Sequence, residues 1–181
     1  MGVVESSQWV NLRGEKVVLR SVEPEDVDVM YAMENDQRNW RVSGTTVPFS
    51  SYVLGRFVES QQQDPLASWQ LRLMIENHGG EVVGIIDLFE IDNYNHRAGV
   101  GILIDERYRR GGFGTDALAV LERYAREVLQ IHQIWCGIGA DNVSSLKLFL
   151  GLDYKKVGCK RDWIWSADGY RDEVMMQHIL E

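Results

Sequence analysis

Several features are scarce in this chain of 181 residues, and each scarcity excludes a class of protein. Cysteine occurs only twice, which is too few for a disulfide framework, and Cys136 is predicted to be a core residue of an apolar strand. The four histidines are scattered without the spacing of metal ligands, so no metal site is expected. The 19 basic residues are outnumbered by 27 acidic ones, and the net charge of −8 argues against sequence-independent binding to nucleic acid.

Long apolar runs are also missing. No segment approaches the roughly 18 apolar residues of a membrane-spanning helix, and the N-terminus lacks the basic-then-apolar pattern of a signal peptide. These absences predict a cytoplasmic protein that has no membrane partner. The hydrophobic content of 45% and the six tryptophans are typical of one compact domain over residues 1–181, and no repeat or linker interrupts it.

The periodicity of the apolar residues predicts an α/β (α+β) domain with the element order β-α-α-β-β-β-α-β-α-β-β. Pro24 is expected to open the first helix, and Ser50 or Ser51 to cap a second helix that ends before Pro65. Short turns between consecutive strands predict antiparallel neighbours. Strands are predicted at residues 16–22, 69–76, 82–92, 97–105, 131–139, 154–165 and 170–180, and the later helices at residues 113–129 and 143–152.

The most informative motif is Arg109-Arg110-Gly111-Gly112-Phe113-Gly114, which lies between an apolar strand and an amphipathic helix. Its three glycines leave backbone N–H groups unshielded, and the first turn of the helix adds N–H groups without intrahelical partners. Together with the helix dipole and two arginines, these amides predict a site for a pyrophosphate. A glycine-rich turn that only reverses the chain is the alternative.

A dinucleotide-binding Rossmann turn is a second alternative, because Gly112-x-Gly114-x-x-Ala117 formally fits the pattern G-x-G-x-x-G/A. Two features oppose it. About half a dozen residues separate Asp105 from Gly112, whereas a Rossmann turn follows its strand almost at once, and the acidic residue expected about 20 positions further on is missing. The Walker A pattern is absent from the chain.

Three segments resemble the GNAT superfamily of N-acetyltransferases. Arg109-x-x-Gly112-x-Gly114 resembles its motif A, R/Q-x-x-G-x-G/A, and residues 12–36 resemble its first strand and helix. A third segment, Asn142-x-x-Ser145-x-x-Leu148-Phe149-x-x-Leu152-x-Tyr154, is similar to its N-x-x-S/A-x-x-L-Y-x-x-L-G-F pattern. The resemblance covers nearly the whole chain and implies a mixed, mostly antiparallel and splayed central sheet with helices on both faces.

The same resemblance implies acetyl-CoA as co-substrate and a small-molecule amine as acceptor. Leu103, Ile104 and Asp105 at the end of one strand would pair with the pantetheine arm of acetyl-CoA. Asn142 and Ser145 would contact the cofactor at the next helix, although Asn142 also suits a helix N-cap. The pyrophosphate would be bound by Arg109, Arg110, Gly111, Gly112, Phe113, Gly114 and Thr115.

Transfer of an acetyl group to an amine needs a proton acceptor for the amine and a donor for the leaving thiolate. Asp87 and Glu90 are the two carboxylates within the otherwise apolar residues 82–91, and either is a candidate base or amine-holding acid. Strict alternation places them on opposite faces unless a bulge intervenes, and solvent-facing acids are the alternative. At the position of the family's tyrosine acid this chain has Phe149, which cannot donate a proton. Water can protonate a thiolate whose thiol has a pKa of about 8.5, and substitution by Tyr154 or Tyr170 is an alternative.

The acceptor is less constrained by the sequence. Residues 90–98 resemble the spermidine/diamine acetyltransferases, and the opening third of the chain also resembles the ribosomal-protein N-terminal acetyltransferases. Glu34, Asn35 and Trp40 lie where the family builds its acceptor site. We expect a small amine or polyamine as acceptor, with a protein N-terminus as the alternative. A non-catalytic acetyl-CoA-binding module is the alternative from another class.

The last predicted hairpin carries Trp163 and Trp165, an apolar surface that could pair subunits of a homo-oligomer.

Overall fold

Seven strands of a single open sheet organise the computed structural model, which describes residues 11–63 and 69–181. The strands are β1 Val17–Ser21, β2 Gln70–Asn77, β3 Val82–Asp92, β4 Arg97–Ile104, β5 Gln133–Gly139, β6 Lys155–Ser166 and β7 Gly169–Ile179. The helices are α1 Val27–Glu34, α2 Gln37–Ser43, α3 Ser51–Gln63, α4 Phe113–Glu127 and α5 Val143–Leu150. The strands lie in the order β1-β2-β3-β4-β5-β7-β6, and every neighbouring pair except β4 and β5 is antiparallel.

One face of the sheet, called the first face, is covered by α4 and α5. Apolar residues of α4 recur at three- and four-residue spacings, so they form one stripe along the helix. The stripe packs with inward-facing residues of β3, β4 and β5 and with Phe149 of α5. The buried members of the stripe are Ala117, Leu118, Leu121 and Ala125.

The opposite face, called the second face, carries α1 and α3. Met30 and Met33 of α1 pack with Leu54 and Val58 of α3 against residues of β2 and β3. Neighbouring residues of β3 alternate between the two cores, as strand geometry requires: Ile85 belongs to the second face and Ile86 to the first. Helices α1 and α3 therefore cover the second face over β1 to β3.

The predicted fold class is confirmed, with one local difference: three helices, not two, connect β1 and β2. The chain breaks after α1, and α2 starts anew because the Asp36 carboxylate accepts the Arg38 backbone N–H at its N-cap. The mostly antiparallel sheet excludes the Rossmann alternative, whose sheet is parallel. Pro65, the predicted stop after α3, lies outside the described residues. Within the described ranges, no helix is long and apolar enough to cross a membrane.

Candidate active site

The sheet splits between β4 and β5. Their parallel pairing is limited to three residue pairs, from Arg97 with Gln133 to Gly99 with Trp135. Beyond these pairs, residues 100–104 of β4 and 136–139 of β5 diverge and leave an opening, which we call the slot. The β4 edge of the slot can pair with an extended ligand in the way that an edge strand pairs with another strand.

The glycine-rich motif closes one end of the slot as a loop of bare amides. Arg110 and Gly112 both have left-handed backbone conformations, with φ of 63° and 83°. Gly111 N–H donates to Tyr108 O, but five other N–H groups find no acceptor within residues 11–63 and 69–181. Concave arrangements of such amides at a helix N-terminus bind anions. The free donors belong to Arg110, Gly112, Phe113, Gly114 and Thr115.

Lys16 adds a cation to this loop that sequence reasoning missed. Its Nζ donates to Gly111 O over 2.7 Å, and a Cβ on Gly112 would lie only 2.8 Å from the same nitrogen. Asp116 in the first turn of α4 holds this segment in place by accepting the backbone N–H groups of Lys16 and Val17. Because 95 residues separate Lys16 from Gly111, no local motif could have revealed the contact.

The two arginines predicted to bind phosphate differ in their side-chain partners. Arg109 Nε donates to Ile104 O over 3.0 Å, and its Nη2 donates to Asn39 Oδ1 over 2.9 Å. Arg109 thereby ties the end of β4 to α2. Arg110 is exposed and makes no ion pair within the described part of the chain. Arg110 is therefore the freer of the two for a phosphate.

At the tip of β4, Leu103 and Ile104 are half-buried. The Asp105 carboxylate is bound by the backbone N–H and the guanidinium of Arg107. The hydrogen bond from this guanidinium holds the pKa of Asp105 below its usual value. Asp105 N–H donates to Val83 O, which keeps the strand tip in the sheet. The three residues therefore lie on the slot edge predicted for the pantetheine arm.

We call the two edges of the slot the β4 bank and the β5 bank. The β5 bank ends at the N-terminus of α5. Asn142 Oδ1 accepts the Ser145 N–H over 3.2 Å and the Ser144 hydroxyl over 3.0 Å, so it caps this helix. Further along α5, Phe149 is buried and its ring packs edge-on against Tyr154, with 4.8 Å between the ring centroids. The capping alternative for Asn142 is thus present in the structure.

The two alternative tyrosines lie in different environments. Tyr154 is buried on the first face, where burial and the adjacent Glu122 carboxylate raise its pKa. Its ring packs near His178. Tyr170 lies at the exposed start of β7, beside the hairpin turn.

Two predicted acids, Glu34 and Asp87, share a buried cation on the second face. Arg72 Nε and Nη2 donate to the two oxygens of Asp87 over 2.7 and 2.9 Å, and its Nη1 donates to Glu34 over 2.6 Å. Burial alone would lower the pKa of Arg72, but the two carboxylates outweigh burial and raise it. Asp87 is paired in register with Gly101, so this triad lies beside the β4 bank of the slot.

Glu90 is placed separately from that triad. The β3–β4 register shifts between Phe89 and Asp92, and Glu90 has a φ of 48°, so a bulge interrupts the alternation here. The exposed Glu90 lines a cavity of about 670 Å³ together with Trp69, Trp135 and Met175. The structure therefore does not bring Asp87 and Glu90 together.

Helix α2 spans the mouth of the slot. Arg38 pairs with Glu106 after β4, whereas Arg41 Nη1 lies 2.7 Å from Asp141 Oδ2 after β5. Trp40 Nε1 donates to Glu34 O over 2.9 Å. The predicted acceptor residue Asn35 instead fixes the chain after α2 through two hydrogen bonds with the Phe49 backbone.

A split sheet with free amides at the end of its slot is the arrangement that the resemblance to the GNAT superfamily implied for an acetyl-CoA-dependent transferase. The family model described as "Acetyltransferase (GNAT) domain" matches residues 16–155, and the chain belongs to this family. It is an acetyl-CoA-dependent N-acetyltransferase, as the resemblance in the sequence implied.

Related proteins and structures agree with this assignment. The chain is 27% identical over 169 residues to the uncharacterized N-acetyltransferase p20 of Bacillus licheniformis, covering 92% of this chain and 94% of that one. It is 23% identical to the spermidine N(1)-acetyltransferase of Escherichia coli K12, covering 88% and 84%. The spermidine N-acetyltransferase of Vibrio cholerae, solved with CoA and spermine, superposes with a TM-score of 0.84 at 18% identity, covering 91% and 95%.

Proposed function

We propose that this N-acetyltransferase acetylates a small alkyl amine or a polyamine. The observation that carries the proposal is the cavity beside β3 and β5. There Glu90 adds a carboxylate without an ion pair in the described ranges to the indole walls of Trp69 and Trp135. A carboxylate beside aromatic faces suits an alkylammonium ion. Two of the proteins to which the chain is similar are named for spermidine, which supports this acceptor class.

The amide loop fits the pyrophosphate of acetyl-CoA. The unpartnered N–H groups of Arg110 and of residues 112–115 supply hydrogen bonds, and Arg110 and Lys16 supply positive charge. Leu103, Ile104 and Asp105 offer the β4 edge to the pantetheine arm. We assign to Asn142 and Ser145 a contact with the cofactor from the other bank, in addition to the cap that they form.

Acetyl-CoA supplies an acetyl group activated as a thioester. The acceptor ammonium loses a proton, its nitrogen forms a bond to the acetyl carbon as the carbon–sulfur bond breaks, and the thiolate gains a proton. Asp87 and Glu34 carry two negative charges against the one positive charge of Arg72, so the triad attracts a cation to the slot. Phe149 has no hydroxyl, so we assign protonation of the thiolate to water.

The test of this function is thiol release from acetyl-CoA in the presence of polyamines, small monoamines, amino acids and peptides with free N-termini. We expect turnover on the amines, and a Glu90→Gln variant with weaker polyamine binding. Turnover on peptides alone would favour the N-terminal acetyltransferase alternative. Binding of acetyl-CoA without turnover on any amine would contradict the proposal and favour a binding module.

We also propose that the protein forms a homo-oligomer in which Trp163 and Trp165 contact a second subunit. Both side chains are exposed on β6. Sedimentation of wild-type protein and of a Trp165→Ser variant tests this, because a monomeric wild type contradicts it.

A further inference from the structure

A third acid lies at the slot, on the bank opposite Asp87. Glu173 of β7 pairs in register with Gly139 of β5, beyond the point at which β5 parts from β4. Its carboxylate lies flat over Gly137, because a Cβ built on that glycine would come within 2.7 to 2.9 Å of the carboxylate atoms. The missing side chain of Gly137 therefore makes the room in which the Glu173 carboxylate sits.

The partner of this carboxylate is a primary ammonium group. Lys160 Nζ lies 2.8 Å from Glu173 Oε1 and 4.6 Å from the centroid of the Trp163 ring. A carboxylate on one side and an aromatic face on the other form a favourable environment for an alkylammonium ion. Lys160 thus shows that this site holds the same chemical group that a small amine or polyamine presents.

The surroundings leave this ion pair open to exchange. The second-face core formed by α1 and α3 contains residues of β2, β3 and β4 but none of β5, β6 or β7. The Glu173 side chain is 17% exposed and the Lys160 side chain 38% exposed, so the carboxylate is fixed while the ammonium reaches solvent. Lysine carries its ammonium on a flexible four-carbon stem, and a partly exposed ion pair contributes little net free energy, so its displacement by another ammonium costs little.

We propose that Glu173 binds one ammonium group of the acceptor, in addition to the contact proposed for Glu90, and that this group enters by displacing Lys160 Nζ from Glu173 and Trp163. This inference rests on the proposed function, and it adds a residue that the sequence did not single out. Lys160 then competes with the acceptor for Glu173, so a cation that binds Glu173 more weakly than Lys160 does is excluded from the site.

The proposal predicts opposite effects of two variants on the KM for spermidine. Glu173→Gln removes a hydrogen bond to a charged group, so we expect the KM for spermidine to rise about tenfold or more. Lys160→Met removes a competitor held by a partly exposed ion pair, so we expect the KM for spermidine to fall by up to about fivefold. In the double variant the gain from Lys160→Met should vanish, because its target carboxylate is gone.

The experiment measures KM and kcat for spermidine and the KM for acetyl-CoA by thiol release, with thermal unfolding as a check on folding. Gly137→Ala is a second variant, since its Cβ displaces the carboxylate without removing the charge and should also raise the KM for spermidine. Asp172→Asn is the matched control: it is the neighbouring residue, it is paired with Arg161, and its substitution should leave the KM unchanged.

The outcomes separate the two proposals. If the wild-type protein turns over amines but Glu173→Gln leaves the KM for spermidine unchanged, the role of Glu173 is refuted and the function stands. A Lys160→Met variant with a raised KM would also refute it, as would acetylation of Lys160 itself seen by mass spectrometry. If the wild-type protein acetylates no amine, the proposed function is refuted, and the role of Glu173, which rests on it, is refuted with it.

Discussion

The buried triad of Glu34, Arg72 and Asp87 makes a quantitative prediction about Asp87→Asn. Asparagine nearly matches aspartate in shape, but an amide nitrogen that cannot accept a hydrogen bond replaces one carboxylate oxygen, so only one of the two Arg72 hydrogen bonds can remain. Removing one partner of a buried ion pair costs about 3–5 kcal/mol. Because Glu34 still holds Arg72 at 2.6 Å, we expect the lower end of that range, about 3 kcal/mol.

The assay is thermal and urea unfolding of the wild type, Asp87→Asn, Glu34→Gln and the double variant. For a domain of this length, about 3 kcal/mol corresponds to a fall of roughly 6–12 °C in the midpoint. The double variant leaves the Arg72 guanidinium buried without a carboxylate, so its loss of stability should exceed the sum of the two single losses.

Stability and turnover together decide the role of Asp87. The geometry predicts that Asp87→Asn loses stability because both carboxylate oxygens are committed to Arg72. A variant that unfolds at the wild-type midpoint yet loses turnover would refute this reasoning. Asp87 would then act as a free base, and its contact with Arg72 would contribute little to folding.

Three further predictions concern other parts of the fold. Gly112→Ala forces a left-handed alanine and brings a Cβ to 2.8 Å from Lys16 Nζ. CoA binding measured by calorimetry should therefore weaken about fivefold. The control is Gly80→Ala, which has the same φ and should not affect CoA binding. Phe149→Tyr should retain folding and CoA binding and speed thiol release at neutral pH; a large drop in the unfolding midpoint would place its ring away from the slot. Burial raises the pKa of Glu122 above the usual 4.5, so stability should fall as pH rises from that value, and Glu122→Gln should flatten the fall in urea melts across this range.

The elements that depend on local pattern could be predicted from the sequence. The stripe of α4 and the glycine-rich loop each depend on residues close together in the sequence, and the free amides lie at Arg110 and residues 112–115, within or next to the predicted motif. The early helical region was only partly predicted, because α1 and α2 are separate helices whose break depends on the Asp36 cap. The roles assigned to the site residues stay predictions, since cofactor and acceptor contacts need direct measurement.

Contacts between distant segments could not be predicted. Arg72 lies in a strand that carried no functional signal, yet its guanidinium joins Glu34, 38 residues away, to Asp87. No sequence motif includes Glu173, and its place over Gly137 follows from a strand pairing between residues far apart in the chain. Alternation also failed at Glu90, where a bulge gives the residue a positive φ that no periodicity indicates.

Glu34, Asp87 and Glu173 are each paired with a cation of the chain itself, and the kind of cation separates their roles. Arg72 is buried and bound to Asp87 through two parallel hydrogen bonds, a geometry that a substrate ammonium cannot reproduce. Lys160 binds Glu173 through a single ammonium, the same group that an amine carries. Exchange with a substrate is therefore nearly balanced at Glu173 and strongly unfavourable at Asp87. One ammonium group of the acceptor should accordingly bind at the β5 edge of the slot, while the β4 edge keeps a fixed charge that favours its approach.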